Sequence, residues 1–109
     1  MPNQFLTDED IQQLYSFKKI KSLILGENKI GDLGVTTITN NLTNVSKLQL
    51  NANSFKAEAL TNIGNLKYLK VLDIRNNNLG DNCLKHIAKV ASLTELSISK
   101  NAITDSGIK

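Results

Sequence analysis

The chain has 109 residues, 40% of them hydrophobic and 5% aromatic, and it carries a net charge of +3. This length suits one domain, and a single cysteine, Cys83, excludes an internal disulfide. The basic residues form no long block and no apolar run could span a bilayer, so the composition favours neither a nucleic-acid-binding nor a membrane-spanning protein.

The first predicted element is a helix that starts after Thr7. Acidic residues occupy positions 8–10, where they face the positive end of a helix dipole. Ile11, Leu14 and Phe17 then stand at helical spacing, which predicts one apolar face. Residues 5–19 are therefore predicted to be the helical half of a repeat and to act as an N-terminal cap.

Four copies of one pattern follow, with starts near residues 20, 45, 69 and 93. Each copy reads L-x-x-L-x-L-x-x-N-x-L, with Ile, Val or Phe at some Leu positions. The asparagines of successive copies stand 25, 24 and 24 residues apart: Asn28, Asn53, Asn77 and Asn101. Five matching positions in each of four copies exclude coincidence, so the chain is built from a structural repeat.

Each copy has two halves with different periods. Residues 21–25, 46–50, 70–74 and 94–98 alternate between apolar and other side chains, which predicts four short strands stacked in parallel. Residues 35–42, 60–66 and 84–90 carry apolar side chains at helical spacing and are predicted to be helices. The second copy has Lys56-Ala57-Glu58 instead of Gly-Asp, so we expect a looser helix start there. Small residues recur at one helix position and should allow the helix to pack closely against the sheet: Gly34, Ala59, Cys83 and Gly107.

A period of 24 to 25 residues around L-x-L-x-x-N resembles a leucine-rich repeat, and the match covers roughly residues 5–109. I-G-D-L-G at 30–34 and I-T-D-S-G-I at 103–108 are similar to the ribonuclease-inhibitor-like and cysteine-containing subclasses. In the latter a cysteine usually stands where this chain has asparagine. Repeats of bacterial effector-type proteins are also similar.

The resemblance implies the fold class α/β, a single-domain right-handed leucine-rich-repeat solenoid over residues 1–109. Its parallel strands line the concave face and its helices the convex face. The handedness agrees with the crossover rule for parallel strands. The last repeat is expected to be truncated within its helical half.

The asparagine column is predicted to be structural, because a buried amide can satisfy the backbone groups of its own turn and of the adjacent one. Cys83 and His86 are too few ligands for a zinc site. Cys83 is expected to be buried, and His86 to be an ordinary surface residue. No catalytic triad or glycine-rich phosphate loop is present, so we expect no enzyme activity and no cofactor or metal.

The partner is expected on the concave face, where the side chains are not needed for the core. The candidate binding residues mix charge, amide, hydroxyl and apolar groups: Lys47, Gln49, Asn51, Val71, Asp73, Arg75, Glu95 and Ser97. This mixture suits a protein partner better than nucleic acid or membrane, since a nucleic-acid surface would be more uniformly basic. Three alternatives are an enzyme-inhibitor-like binder, a weak polyanion binder and an excised fragment of a larger repeat protein.

Two further predictions concern assembly and location. An unpaired edge strand and apolar residues across 96–108 could support an end-to-end homodimer. No apolar stretch follows Met1, so no secretory signal is predicted, and one cysteine suits a reducing compartment. We therefore expect a cytoplasmic protein. Its Asn-, Lys- and Ile-rich composition favours a bacterial effector-like setting, with delivery into a host cell in that case.

Overall fold

A computed structural model of the chain describes residues 7–13, 17 and 19–101. Helix α1 (Asp8–Gln12) opens this part of the chain. The Asp10 carboxylate accepts a hydrogen bond of 2.8 Å from the backbone N–H of Thr7, just before the helix. Ile11 is fully buried. Phe17 is 57% exposed, so its predicted place on the apolar helix face is wrong, because α1 ends at Gln12; Leu14 lies outside the described residues.

The sheet contains four parallel strands in chain order: β1 (Ser22–Ile24), β2 (Lys47–Gln49), β3 (Val71–Asp73) and β4 (Glu95–Ser97). The central leucine of each strand is in register with the next: Leu23, Leu48, Leu72 and Leu96. The predicted parallel sheet is thus confirmed. The strands are shorter than predicted, but the ladder continues beyond them, since the Leu25 N–H donates to the Gln49 carbonyl at 2.8 Å.

The other layer contains helix α2 (Asp32–Asn41), two 3-10 helices (Ala57–Leu60 and Ile63–Asn65) and helix α3 (Cys83–Ile87). The predicted helix of the second repeat is therefore replaced by two tighter turns. Lys56 precedes the first of these without a side-chain cap, and Gly64 lies within the second. Both features weaken an α-helix. The sequence predicts a looser helix start at Lys56–Glu58, and the structure has a 3-10 helix there.

The core lies between the two layers. Solvent is excluded from this core. Four leucines of β2, β3 and the adjacent turns are each at most 1% exposed: Leu48, Leu50, Leu69 and Leu72. Phe55 is the largest fully buried side chain. The chain is therefore an α/β solenoid whose repeats share one continuous apolar core.

The predicted column of small residues is buried where it is described, at Gly34, Ala59 and Cys83, whereas Gly107 lies outside the described residues. A Cβ added at Gly34 would lie 2.5 Å from Asp8 Oδ1 and 2.7 Å from Ile30 Cγ2. The close neighbours at this position belong to α1 and to the turn before α2. Gly34 therefore allows α1 and α2 to pack together, a different partner from the sheet expected from the sequence.

Candidate functional site

The sheet face opposite the core carries the candidate binding residues, and we keep the name concave face for it. Arg75, Glu95 and Ser97 are exposed on this face. Four more residues are half-buried there, at neighbouring positions of the second and third repeats: Lys47, Gln49, Asn51 and Val71. The parallel register places Lys47 beside Val71, and Val71 beside Glu95. These side chains thus form one surface rather than separate patches.

Asp73 differs from its neighbours because it is only 7% exposed. Its carboxylate accepts three hydrogen bonds from Arg75: from Nε at 2.9 Å, from Nη2 at 2.8 Å and from the backbone N–H at 3.1 Å. The hydrogen bond and the charge of Asp73 raise the pKa of the Arg75 guanidinium. Asp73 therefore orients the Arg75 guanidinium, and its role as a partner contact stays a prediction.

Arg75 remains available although it is paired. Its side chain is 50% exposed, and the bidentate contact with Asp73 fixes the plane of the guanidinium. An oriented guanidinium loses less conformational entropy on binding than a free one. Arg75 is consequently the best-prepared contact residue on the concave face.

A shallow cavity of about 190 Å³ lies where the strands end. Its lining combines both charges with amide and hydroxyl groups: Glu27, Asn51, Ala52, Arg75, Asn76, Ser99 and Lys100. Glu27 and Lys100 belong to the column of the sequence repeat that adjoins the candidate binding residues, one residue before an asparagine of the repeat. The cavity can accept a polar side chain of a partner.

The four asparagines lie directly beneath this cavity edge and hold the turns together. The Oδ1 of Asn77 accepts the Asn53 N–H at 2.7 Å, and its Nδ2 donates to Leu50 and Ile74 carbonyls at 2.9 and 3.0 Å. Asn101 bonds in the same way to the Asn77 N–H and the Ile74 carbonyl. Each bond set joins a turn to the preceding repeat, and we call the column the asparagine ladder.

Asn28 and Asn53 extend the asparagine ladder to the first repeat. Asn28 Nδ2 donates to the Leu25 carbonyl of its own turn at 2.9 Å. Asn53 Nδ2 donates to the same carbonyl from the next repeat at 3.0 Å, and its Oδ1 accepts the Ile30 N–H at 3.0 Å. A ladder of side-chain amides thus keeps the turns below the concave face in a fixed relation.

Two aspartates form a second link between neighbouring repeats, in the outer layer. Asp8 Oδ1 accepts the Gly31 N–H at 2.6 Å, and Asp32 Oδ1 accepts the Lys56 N–H at 2.5 Å. The sequence pattern placed Asp8 only at the positive end of its own helix dipole. The 24-residue separation of Asp8 and Asp32, equal to the repeat period, was the signal for the additional role.

Cys83 and His86 are both buried, at 0% and 8% exposed. The prediction of an exposed His86 is wrong, because α3 packs against the first 3-10 helix of the preceding repeat. Burial lowers the pKa of His86, and the nearby Lys85 and Lys89 lower it further, against a smaller opposing effect of Glu58. His86 Nδ1 has no hydrogen-bond partner. Burial likewise raises the pKa of the Cys83 thiol.

The part of the chain that the structure describes brings together no group of three or more His, Cys, Asp or Glu side chains that could hold a metal ion. Among the same residues, no helix has the length and apolar character needed to cross a membrane. The side chains of the concave face can form ion pairs, hydrogen bonds and apolar contacts.

Comparison with known proteins agrees with the fold. A family model described as "Leucine Rich repeat" matches residues 18–38, 65–88 and 91–109, which together make more than half of the chain. No curated protein matches the chain. The matched segments include β1, β3, β4 and most of the outer layer of the first and third repeats. With its repeat period, parallel sheet and asparagine ladder, the chain belongs to the leucine-rich repeat family.

Proposed function

We propose that this chain is a protein-interaction module that binds a protein partner through its concave face and performs no catalysis. Leucine-rich repeats generally mediate protein–protein interactions. The observation that carries the proposal is the oriented, half-exposed guanidinium of Arg75 at the centre of a chemically mixed face. Arginine is enriched in protein interfaces, whose compositions mix polar and apolar groups.

The charge distribution supports a protein partner over the alternatives. The concave face and its edge carry three basic residues, Lys47, Arg75 and Lys100, and two exposed acidic residues, Glu27 and Glu95. A surface with both signs offers no continuous positive stripe for a polyanion. It also lacks the strongly acidic character that an inhibitor of a basic enzyme would need.

Replacing one contact residue tests the proposal. In an affinity capture from source cells, Arg75→Glu should abolish recovery of the partner, because it places a repelling charge at the centre of the face. The matched control is Lys85→Glu, which makes the same charge change on the exposed surface of α3. Equal loss of the partner with both variants, or loss with the control alone, would contradict binding at the concave face.

A second proposal, self-association of the last described strand, rests on Leu96. This side chain is 39% exposed, whereas the equivalent Leu48 and Leu72 are 0% and 1% exposed. An exposed leucine beside a sheet edge favours contact with a second copy of the chain. The homodimer interface predicted over 96–108 would include it, although residues 102–108 lie outside the described residues.

Light scattering at high micromolar concentration tests self-association. The parent chain should have the mass of a dimer, and Ser97→Lys should shift it to the mass of a monomer, since a charge on the edge strand opposes pairing. Ser22→Lys, which adds the same charge on β1, is the control. A strictly monomeric parent would exclude this second proposal.

We further propose that the repeats are of the ribonuclease-inhibitor-like or cysteine-containing-like type. The ten-residue helix α2 on the outer layer and the small buried residues at Gly34 and Cys83 support this subclass. The cytoplasmic location and the effector-like setting stay predictions from composition. Microscopy of the tagged chain in its source cells would test the location directly.

A further inference from the structure

A second surface lies where the chain leaves the outer layer and enters the strands. A groove of about 490 Å³ is formed there by five residues of the first three repeats: Lys21, Asn44, Ser46, Tyr68 and Lys70. We call it the strand-start groove. Its lining residues all precede the strands, whereas the shallow cavity on the concave face is lined by residues that follow the strands.

The groove arises from alternation between repeats. The segments before the four strands read K-K-I-K (18–21), T-N-V-S (43–46), K-Y-L-K (67–70) and A-S-L-T (91–94). Long basic side chains in the first and third repeats thus alternate with short neutral ones in the second and fourth. Lys21 and Lys70 form the two sides, while Ser46 lies between them.

The backbone ladder fixes the distance between these sides. The Lys21 carbonyl accepts the Ser46 N–H at 2.7 Å, and the Ser46 carbonyl accepts the Lys70 N–H at 2.8 Å. The three residues are therefore on adjacent parallel segments, which stand about 4.8 Å apart. Two such steps place the Lys21 and Lys70 backbones about 10 Å apart.

The lining of the strand-start groove contains two basic residues and no acidic one. Both are exposed, and in the described part of the chain neither forms an ion pair. None of the four pre-strand segments contains an acidic residue. Glu95, whose N–H donates to the Lys70 carbonyl at 2.9 Å, begins β4 and is not among the lining residues of the groove. Asp32 and Glu58 are in the first turns of the outer-layer helices, at the other end of the repeat. The lining of the groove is accordingly positively charged.

Tyr68 adds an apolar contact to this charge. Its side chain is 63% exposed, the highest value among the large hydrophobic and aromatic side chains that are exposed in the described residues. An exposed tyrosine supplies a flat apolar surface together with a hydroxyl group, a combination that is enriched in protein interfaces.

We propose that the strand-start groove binds an acidic peptide segment whose two carboxylates stand three residues apart in an extended, polyproline-like conformation. In that conformation residues i and i+3 share one face and lie about 9 Å apart, close to the separation of Lys21 and Lys70. The carboxylates pair with the two ammonium groups, and the peptide backbone between them lies over Ser46 and against Tyr68.

The number of charges favours a peptide over nucleic acid. Duplex DNA carries one charge per ~1.7 Å of axis, so its binding sites neutralise many phosphates at once. The groove supplies two cations separated by neutral side chains. This arrangement matches two discrete carboxylates. The groove is also separate from the concave face. A negative result for peptide binding at the groove would therefore leave the proposed function intact.

Nuclear magnetic resonance titration of the full chain tests this proposal. The probe is a capped peptide with the sequence EPPE, and QPPQ is its neutral control. At low salt, EPPE should shift the backbone amides of Ser46 and Lys70, whereas QPPQ should leave them in place. Lys21→Gln combined with Lys70→Gln should weaken binding about three- to tenfold, the loss expected for two exposed ion pairs.

Matched variants make the result specific. Lys56→Gln with Lys85→Gln removes the same charge from exposed positions elsewhere and should change the affinity less than twofold. Tyr68→Ala should weaken binding about threefold without altering the net charge. Circular dichroism confirms that each variant is folded.

Three results would overturn the proposal. If the two lysine double variants weakened peptide binding equally, net charge alone would explain the attraction. Shifts at the Gln49 and Ser97 amides, with none at Ser46, would place the peptide on the concave face. Tighter binding of a thymidine oligonucleotide of matched charge, with the same dependence on Lys21 and Lys70, would assign the groove to nucleic acid.

Discussion

Buried amide side chains join one turn of the chain to the next. Each Nδ2 of Asn53, Asn77 and Asn101 donates to carbonyls of two successive repeats, and each Oδ1 accepts a backbone N–H of the preceding one. Asn77 and Asn101 are buried, so removal of either side chain leaves several backbone groups without partners in a place that water does not reach. A buried polar group without a partner costs about 1–3 kcal/mol.

Asn77→Ala should therefore lower the free energy of unfolding by about 1–3 kcal/mol, as measured by urea denaturation. The control is Asn65→Ala, at an exposed residue of the second 3-10 helix, which should change it by less than about 0.5 kcal/mol. Equal effects of the two substitutions would show that the asparagine ladder does not stabilise the fold.

His86 gives the fold a pH dependence. Burial and the neighbouring lysines lower its pKa in the folded chain below the ordinary value of 6.5, so the unfolded chain binds more protons around and below that pH. The stability linked to this group is complete above pH 6.5 and falls as the pH drops towards the lowered pKa.

The parent chain should thus have a lower urea midpoint at pH 5.5 than at pH 7.5. His86→Gln, which cannot take up the proton, should reduce this difference. The same pH dependence in parent and variant would assign the effect to other groups and would contradict the burial-based account of His86.

At the scale of elements, the strands follow from the sequence more directly than the helices do. Alternating Leu and Ile residues have one stable arrangement, with the apolar face on the core, so the register follows from the alternation. The parallel direction follows from the repeat, because each strand is followed by an outer-layer segment that returns the chain. The outer layer depends on local capping and on tertiary packing. This is why the second repeat forms 3-10 helices although Leu60, Ile63 and Leu66 have helical spacing.

The contact between α1 and α2 depends on the absence of a side chain at Gly34. A Cβ there would press on Ile30, and Asp8 is not free to turn away because it accepts the Gly31 N–H. Gly34→Ala should destabilise the chain by about 1–2 kcal/mol, since crowding exceeds the gain in helix propensity. Gly64→Ala, whose Cβ would stand 3.3 Å from Lys89 Cβ, is the control and should destabilise the chain less than Gly34→Ala does. Thermal denaturation of both variants distinguishes these outcomes.

At the scale of the whole molecule, the sequence predicts which positions share the concave face but not how their side chains pair. Lys47, Gln49 and Glu95 could be placed from the repeat register alone. Asp73 and Arg75 stand two positions apart and form an ion pair. The sequence pattern alone does not distinguish such an internal pair from two residues that each contact a partner. The strand-start groove also required the structure, because it depends on side chains from three repeats.

Binding of a protein partner at the concave face is the central claim, and site-specific photocrosslinking tests it most directly. The reactive residue p-benzoylphenylalanine replaces Gln49 on the concave face or, in the control, the exposed Thr61 on the outer layer. In source cells, position 49 should give one covalent adduct with a partner, which Arg75→Glu should remove, and position 61 should give none. An adduct from position 61 without one from position 49 would contradict the account.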